Sequence, residues 1–379
     1  MAVGATDPSR PIAGHRPSFC EARNRRFLLI AAILASALGF IDGTLVAIAL
    51  PAIRAGLDAT LTQALWINNG YLLPLSALIL MGGALGDRFG LGRVFALGIG
   101  VFIAASVACA LAPSPGFLIV ARVIQGIGAA LMVPGSLALI ARAYPEEERG
   151  RAIGTWAAAS ALTTALGPIL AGLALSLGGP EIWRWLFAIN LPLGAIALFL
   201  VLRFVADDRA QPDHPLDLPG AALITGGLGL VTYALTAAGE HGGLANPGLL
   251  ALGAALIAAF ILWQARITNP MVPLGLFRDR GFAGANIATA LIYLALSAIL
   301  FFLPMTLIAG WGLAEIWASA AFAPLSILIP VLSAPAGRLA DRYGAGPLIG
   351  LGAACVAVSF AALAAVVPVG PTALWWGVL

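Results

Sequence analysis

The sequence predicts an all-α, polytopic membrane protein, and three observations carry that prediction. First, 61% of the 379 residues are hydrophobic and only 10% are charged, with a mean hydropathy of +0.99, whereas a soluble domain carries roughly 25% charged residues. Second, the apolar residues come in eleven long runs, each close to the ~20 residues that a membrane-crossing helix needs. Third, the runs are continuous and do not alternate, so they cannot build a closed β-barrel, the other backbone-satisfied way across a bilayer.

The expected spans lie at about 27–50, 64–86, 93–112, 117–141, 152–178, 185–205, 216–238, 247–267, 281–308, 315–336 and 347–368, by the length criterion. Residues 1–26 form a polar, proline-bearing tail with no small-residue cleavage site after it, so the first run reads as a retained span and not as a signal peptide. Cys20, Cys109 and Cys355 lie in the tail and in two separate runs, which gives neither a disulfide frame nor a metal site. The net charge of +3 is too small to imply a nucleic-acid partner. Every basic residue is arginine, a compositional bias more than a chemical one.

The arginines orient the chain. If the N-terminus is cytoplasmic, seventeen arginines fall on inner segments and only Arg54 and Arg184 on outer ones, with Arg122 left inside the membrane. That asymmetry is the positive-inside pattern, and one missed span would scramble it.

A repeat organises the chain further. Of the stretch Gly82-Gly83-Ala84-Leu85-Gly86-Asp87-Arg88-Phe89-Gly90-Leu91-Gly92-Arg93, the residues Gly83, Leu85, Asp87, Arg88, Gly90 and Gly92 return 254 positions later in Gly337-Arg338-Leu339-Ala340-Asp341-Arg342-Tyr343-Gly344-Ala345-Gly346. Both copies follow one apolar run and precede another, as in a transporter built from two parallel repeats. If the turn follows the second span of each half, spans seven and eight are an insertion. The expected units are then a tail (1–26), a six-helix bundle (27–205), a linker with two inserted helices (206–270) and a partial second bundle (271–379). The linker is the acidic, proline-containing segment 207–215. Only three spans and the apolar start of a fourth follow the insertion, so the arithmetic predicts a fragment with eleven of fourteen helices, the alternative being an eleven-helix protein with an interfacial aromatic end.

Few residues inside the spans can do chemistry. Asp42 is the carboxylate placed deep in an apolar run, and Arg122 is the cation placed likewise. Each costs roughly 2.5–3.5 kcal/mol at the bilayer centre, which argues that both face a polar interior. The functional reading makes Asp42 a proton-exchanging carboxylate, with Arg122 setting its proton affinity by proximity; the alternative is a structural ion pair between helices. In the fifth span, Gly154, Thr163, Thr164, Gly167, Pro168, Ala171 and Gly172 offer close approach and a bend. In the two turns, Gly83, Asp87, Arg88, Gly90 and Arg93, with Gly337, Asp341, Arg342 and Gly344, read as a gating latch or as topological anchors. The glycines would allow a reversal of two or three residues, and Asp87 would accept from a helix start. Asn68, Asn69, Tyr71, Gln125, Trp156, Asn190, Asn286, Tyr293, Phe301 and Phe302 are candidates to line a cavity. His15, His214 and His241 form no cluster, and no nucleotide-binding loop, metalloprotease helix or nucleophile elbow is present. A membrane enzyme is therefore disfavoured and no cofactor or metal is expected, with an ion gradient as the energy source.

These residues together resemble the major facilitator superfamily, and within it the fourteen-helix drug:proton antiporters of the EmrB/QacA type. The resemblance rests on Gly83, Leu85, Asp87, Arg88, Gly90 and Arg93 in the first turn, with Leu91 and Gly92 replacing a usual basic pair. It rests also on Asp42 to Pro51, where Ala47 replaces a usual asparagine, and on Arg122, Gln125, Gly126 and Gly128, which resemble a motif associated with proton coupling. Gly154, Gly167, Pro168 and Gly172 are similar to the antiporter motif, with Thr163 and Ala171 standing for two glycines, and Trp183 to Gly194 is similar to the subfamily's entry into helix six. The resemblance implies a proton-coupled exporter of lipophilic or cationic small molecules in the cytoplasmic membrane, working by alternating access; the sequence does not fix the oligomeric state, a monomer being the expectation. Alternatives are an exporter of an endogenous metabolite or antibiotic, and a transport-inactive membrane sensor or interaction protein.

Overall fold

The computed structural model describes residues 21–205, 216–241, 246–321 and 342–366, with isolated positions between 324 and 339. The helices are α1 (Arg25–Gly56), α2 (Leu61–Phe89), α3 (Leu91–Ala110), α4 (Pro115–Ala143), α5 (Glu146–Gly178), α6 (Trp183–Ala188), α7 (Asn190–Phe204), α8 (Leu218–His241), α9 (Pro247–Gln264), α10 (Arg280–Met305), α11 (Glu315–Ala320) and α12 (Ala345–Val366). Among the described residues, ten helical segments are long and apolar enough to cross a membrane, α6 and α7 counting as one. Of the run expected at 315–336, only α11 and isolated positions are described. The linker at 207–215, Gly337 and Asp341 of the second turn, and the apolar ending at 373–379 lie outside the described residues.

Helix starts are set by local chemistry. Thr60 opens α2 with a capping box, accepting from the Gln63 N–H while the Gln63 side chain accepts from the Thr60 N–H. Ser114 caps α4 ahead of Pro115, Asn246 caps α9 ahead of Pro247, and Asp279 caps α10. The sixth expected span is interrupted at Ile189. Pro192 explains the break, since it lacks the N–H that would bond the Ala188 carbonyl four residues back. Asn190 therefore begins a new helix in mid-span.

The first glycine-rich turn is tighter than its sequence suggests. α2 runs to Phe89 and α3 starts at Leu91, so the reversal is the single residue Gly90, with φ 100°. Gly344, 254 positions later, has φ 84° immediately before α12. Both copies thus place glycine where an L side chain would be strained. Asp87 is inside the last turn of α2 and does not cap α3, whose start has no side-chain cap. It pairs instead with Arg142 at the end of α4, at 2.9 Å.

Other glycines in the bundle serve close helix approach. A Cβ on Gly82 would fall 2.0 Å from the Ala130 carbonyl oxygen, and one on Gly126 would fall 2.4 Å from that of Tyr71, so α2 and α4 meet backbone to backbone. A Cβ on Gly128 would lie 2.7 Å from the Phe102 nitrogen on α3. On α5, Gly167 meets α1, where its Cβ would lie 2.1 Å from Thr44 Oγ1. Gly154 differs from expectation, because it has open space around it, so it does not support a close approach. Gly172 and Pro168 are buried in a continuous α5.

The second-half elements touch the first half where α1 finishes. Leu303 and Leu307, at and just beyond the end of α10, are buried with the last turns of α1, Trp183 and Phe187 in one apolar cluster, and α11 packs on α5 and α1. Residues near the start of α10, such as Phe282, Ile287 and Leu291, are exposed. The pair α8 and α9 packs against α2 through α8, with Trp66 and Tyr233 rings 6.2 Å apart.

Candidate functional site: a buried charge network around Asp42

Asp42 sits in the middle of α1 and is 2% exposed, while Arg122 on α4 is fully buried. The glycines that draw α4 onto α2 and α3 bring the two together, and Arg122 Nη1 donates to Asp42 Oδ2 in a buried ion pair. The other carboxylate oxygen, Oδ1, accepts from Gln125 Nε2 at 3.0 Å and from Asn190 Nδ2 at 3.1 Å. Ser106 Oγ on α3 accepts from the same two amides, at 2.8 Å and 3.2 Å. Four helices of one bundle thus converge on one carboxylate.

The arginine has partners besides the acid. Its Nε donates to the Ile67 carbonyl at 3.1 Å and its Nη1 to Gln125 Oε1 at 2.6 Å. Its guanidinium carbon lies 4.3 Å from the Tyr71 ring centroid, within cation–π range. These partners are neutral, so Nε and Nη1 stay hydrogen-bonded when the carboxylate loses its charge, while Nη2 has no partner among the described residues. An isolated buried cation would cost several kcal/mol. The geometry therefore holds Asp42 ionised by donors on both oxygens, and keeps part of the guanidinium bonded independently of the acid.

The residues expected to line a cavity fall in different surroundings. Tyr71 and Gln125 are buried within the charge network, the tyrosine hydroxyl donating to the Gly39 carbonyl at 3.1 Å. Trp156 is half-buried and its indole N–H donates to Ser36 at 2.9 Å. Asn68 is half-buried, whereas Asn286 and Tyr293 are exposed on α10, Asn286 bonding back to the Phe282 carbonyl at 2.8 Å. In the turns, Arg88 lies over Phe89 at 5.5 Å and Arg342 over Tyr343 at 5.3 Å, while Arg93 is exposed. Ser106 was not foreseen, because one serine in an apolar run has no sequence signature. Cys109, expected in neither a disulfide nor a metal site, donates weakly to Gln125 Oε1 at 3.7 Å.

Residues 32–379 match the model of the Major Facilitator Superfamily, and the chain belongs to that superfamily of transporters, not to an enzyme family. It is 38% identical over 324 residues to the methylenomycin A resistance protein of Streptomyces coelicolor, covering 84% of this chain and 67% of that one. It is 33% identical over 345 residues to the tetracenomycin C resistance and export protein of Streptomyces glaucescens, covering 89% of this chain and 64% of the relative. The chain therefore spans about two thirds of the length of these curated relatives. Among solved structures, it is similar in fold to a peptide transporter bound to sulfate, with TM-score 0.63, 20% identity, and coverage of 93% of this chain and 75% of the other.

Proposed function

We propose that this protein is a proton-coupled exporter of the fourteen-helix antiporter type, driven by the proton gradient without a cofactor. It would expel lipophilic or cationic small molecules across the cytoplasmic membrane, with its N-terminus in the cytoplasm. The observation that carries the proposal is the ionisable group held at mid-helix: a buried Asp42 paired with Arg122 in a chain of this superfamily. An intramembrane acid with a named partner is the kind of group that relays protons in transporters.

The cycle follows from differential contacts. Protonated Asp42 loses its pull on Arg122, and a cationic cargo near the site favours the ionised form, so proton and cargo exclude each other. With the N-terminus in the cytoplasm, the apolar cluster where α1 and α10 finish lies on the outer side, so the two halves would meet there in this state. Exchange between this state and its opposite is the rocking expected of two repeats around a midplane site. Export of an antibiotic made by the producing cell is a second reading, favoured by relatives named for methylenomycin A and tetracenomycin C resistance.

The test uses proteoliposomes with an acidic lumen and a pH-sensitive dye inside. Addition of a lipophilic cation such as ethidium is expected to speed proton loss from the lumen while the cation accumulates there. Accumulation that survives a protonophore would overturn proton coupling, and no movement of any cationic or antibiotic compound would overturn export.

A further inference from the structure

Two buried polar atoms of the Asp42 site have no hydrogen-bond partner among the described residues, the donor Arg122 Nη2 and the acceptor Asn190 Oδ1, and only the second can receive a proton. Asn190 is 1% exposed; its Nδ2 donates to Asp42 Oδ1 and to Ser106 Oγ, but its buried Oδ1 has no hydrogen-bond partner among the described residues. A buried acceptor left empty costs about 1–3 kcal/mol, so its presence beside an acid is chemically informative.

An ionised carboxylate only accepts hydrogen bonds, whereas a protonated one must also donate. The donors now around Asp42 suit the ionised form. Once Asp42 takes a proton, its O–H needs an acceptor, and the neighbours offer few. Gln125 Oε1 already accepts from Arg122 at 2.6 Å and from Cys109 at 3.7 Å. Ser106 Oγ already accepts from both amides, which uses both lone pairs of a hydroxyl. The other titratable or charged groups facing the site are Arg122 on α4, Tyr71 on α2 and Cys109 on α3. The first is a pure donor, and the hydroxyl of Tyr71 is directed at the Gly39 carbonyl.

Building on the proton-coupled reading above, we propose that the Asn190 amide is a two-state positioning group for Asp42. Its nitrogen donates to the carboxylate when Asp42 is ionised, and a half-turn of the amide presents its oxygen to the Asp42 O–H when Asp42 is protonated. In the turned pose the Ser106 hydroxyl, which can rotate its proton, changes from acceptor to donor toward Asn190 while still accepting from Gln125. One end of the amide lacks a partner in either pose, so the turn moves that cost from oxygen to nitrogen. The helix break at Ile189 puts this amide in the first turn of α7.

Infrared difference spectra of the full protein in lipid, recorded across a pH titration, read both poses without requiring transport. Protonation of Asp42 is expected to give a carboxylic-acid band absent from Asp42→Asn. A side-chain amide carbonyl band should shift at the same midpoint, and it should vanish in Asn190→Leu. Because bonds to an ion are about twice as strong as neutral ones, Asn190→Leu should also raise the Asp42 midpoint by about one pH unit, a tenfold gain in proton affinity. Ser106→Ala, a smaller change that serves if the leucine variant does not fold, should move the midpoint the same way by less and weaken the amide shift. An Asp42 band with no accompanying amide change, or a midpoint unmoved by either variant, overturns the two-state amide and leaves the proton reading standing. Absence of any Asp42 band over the accessible pH range overturns both.

Discussion

Two buried carboxylates in this protein have opposite surroundings. Asp42 lies at mid-helix against a guanidinium and two side-chain amides, one of which keeps an unpartnered oxygen. Asp217, 4% exposed, lies just before α8 in the inserted pair. Its Oδ1 accepts from the Gly220 N–H and from Trp263 Nε1, each at 2.8 Å, and its Oδ2 accepts from Gln264 Nε2. The oxygen of Gln264 is itself taken by the Val272 N–H at 3.1 Å. Asp217 therefore caps α8, where the helix dipole favours an anion, and ties its start to the end of α9 through neutral donors. The comparison teaches that burial alone does not make an acid a proton carrier. Under the proposal for Asp42, the difference is whether the neighbours can serve both charge states, and those of Asp217 serve the ionised one.

The largest effect that would test this contrast is on transport. Asp42→Asn is expected to reduce gradient-driven cation accumulation in proteoliposomes to the level of protein-free vesicles, with the variant still inserted and monodisperse. Asp217→Asn should keep wild-type dependence on the gradient, and loss of coupling there would erase the distinction. Next in size is Arg122→Met, which leaves Asp42 buried without its cation and should cost about 3–5 kcal/mol, read by thermal unfolding in detergent. Adding Asp42→Asn to Arg122→Met should recover part of that loss, since the orphaned charge is then gone. A smaller cost of about 1–3 kcal/mol is expected for Asp217→Ala, appearing as faster hydrogen exchange in the first turn of α8 and the last of α9. The smallest is Trp263→Phe, which removes one donor to Asp217 and should cost about 1 kcal/mol without moving the pH midpoint of transport.

The positions of most helices were legible because lipid imposes a length and an apolar composition that can be counted along the chain. The pairing of Asp42 with Arg122 was legible for a related reason: two charges in apolar runs have few places to go. Gly90 and Gly344 could be matched by register, and both take positive φ. Less could be read where the cause is a contact across helices. Gly82, given no packing role, lies against Ala130, whereas Gly154, expected to draw a helix close, faces open space. Asp87 was expected at a helix start and is found paired with Arg142, because the reversal is one residue long and keeps Asp87 inside α2. Asp217 escaped notice because an aspartate at the edge of an apolar run looks like any cap.

By itself, then, the sequence determined an all-helical membrane chain of this superfamily, its repeated turn and the two charges at its centre, since hydrophobic length, arginine placement and glycine register are one-dimensional quantities. The tertiary structure alone decided which amide, hydroxyl and carbonyl groups surround those charges, where the sixth span breaks, and which glycines are indispensable. Those depend on side chains tens of residues apart meeting within about 3 Å, and no periodicity along the chain encodes that distance.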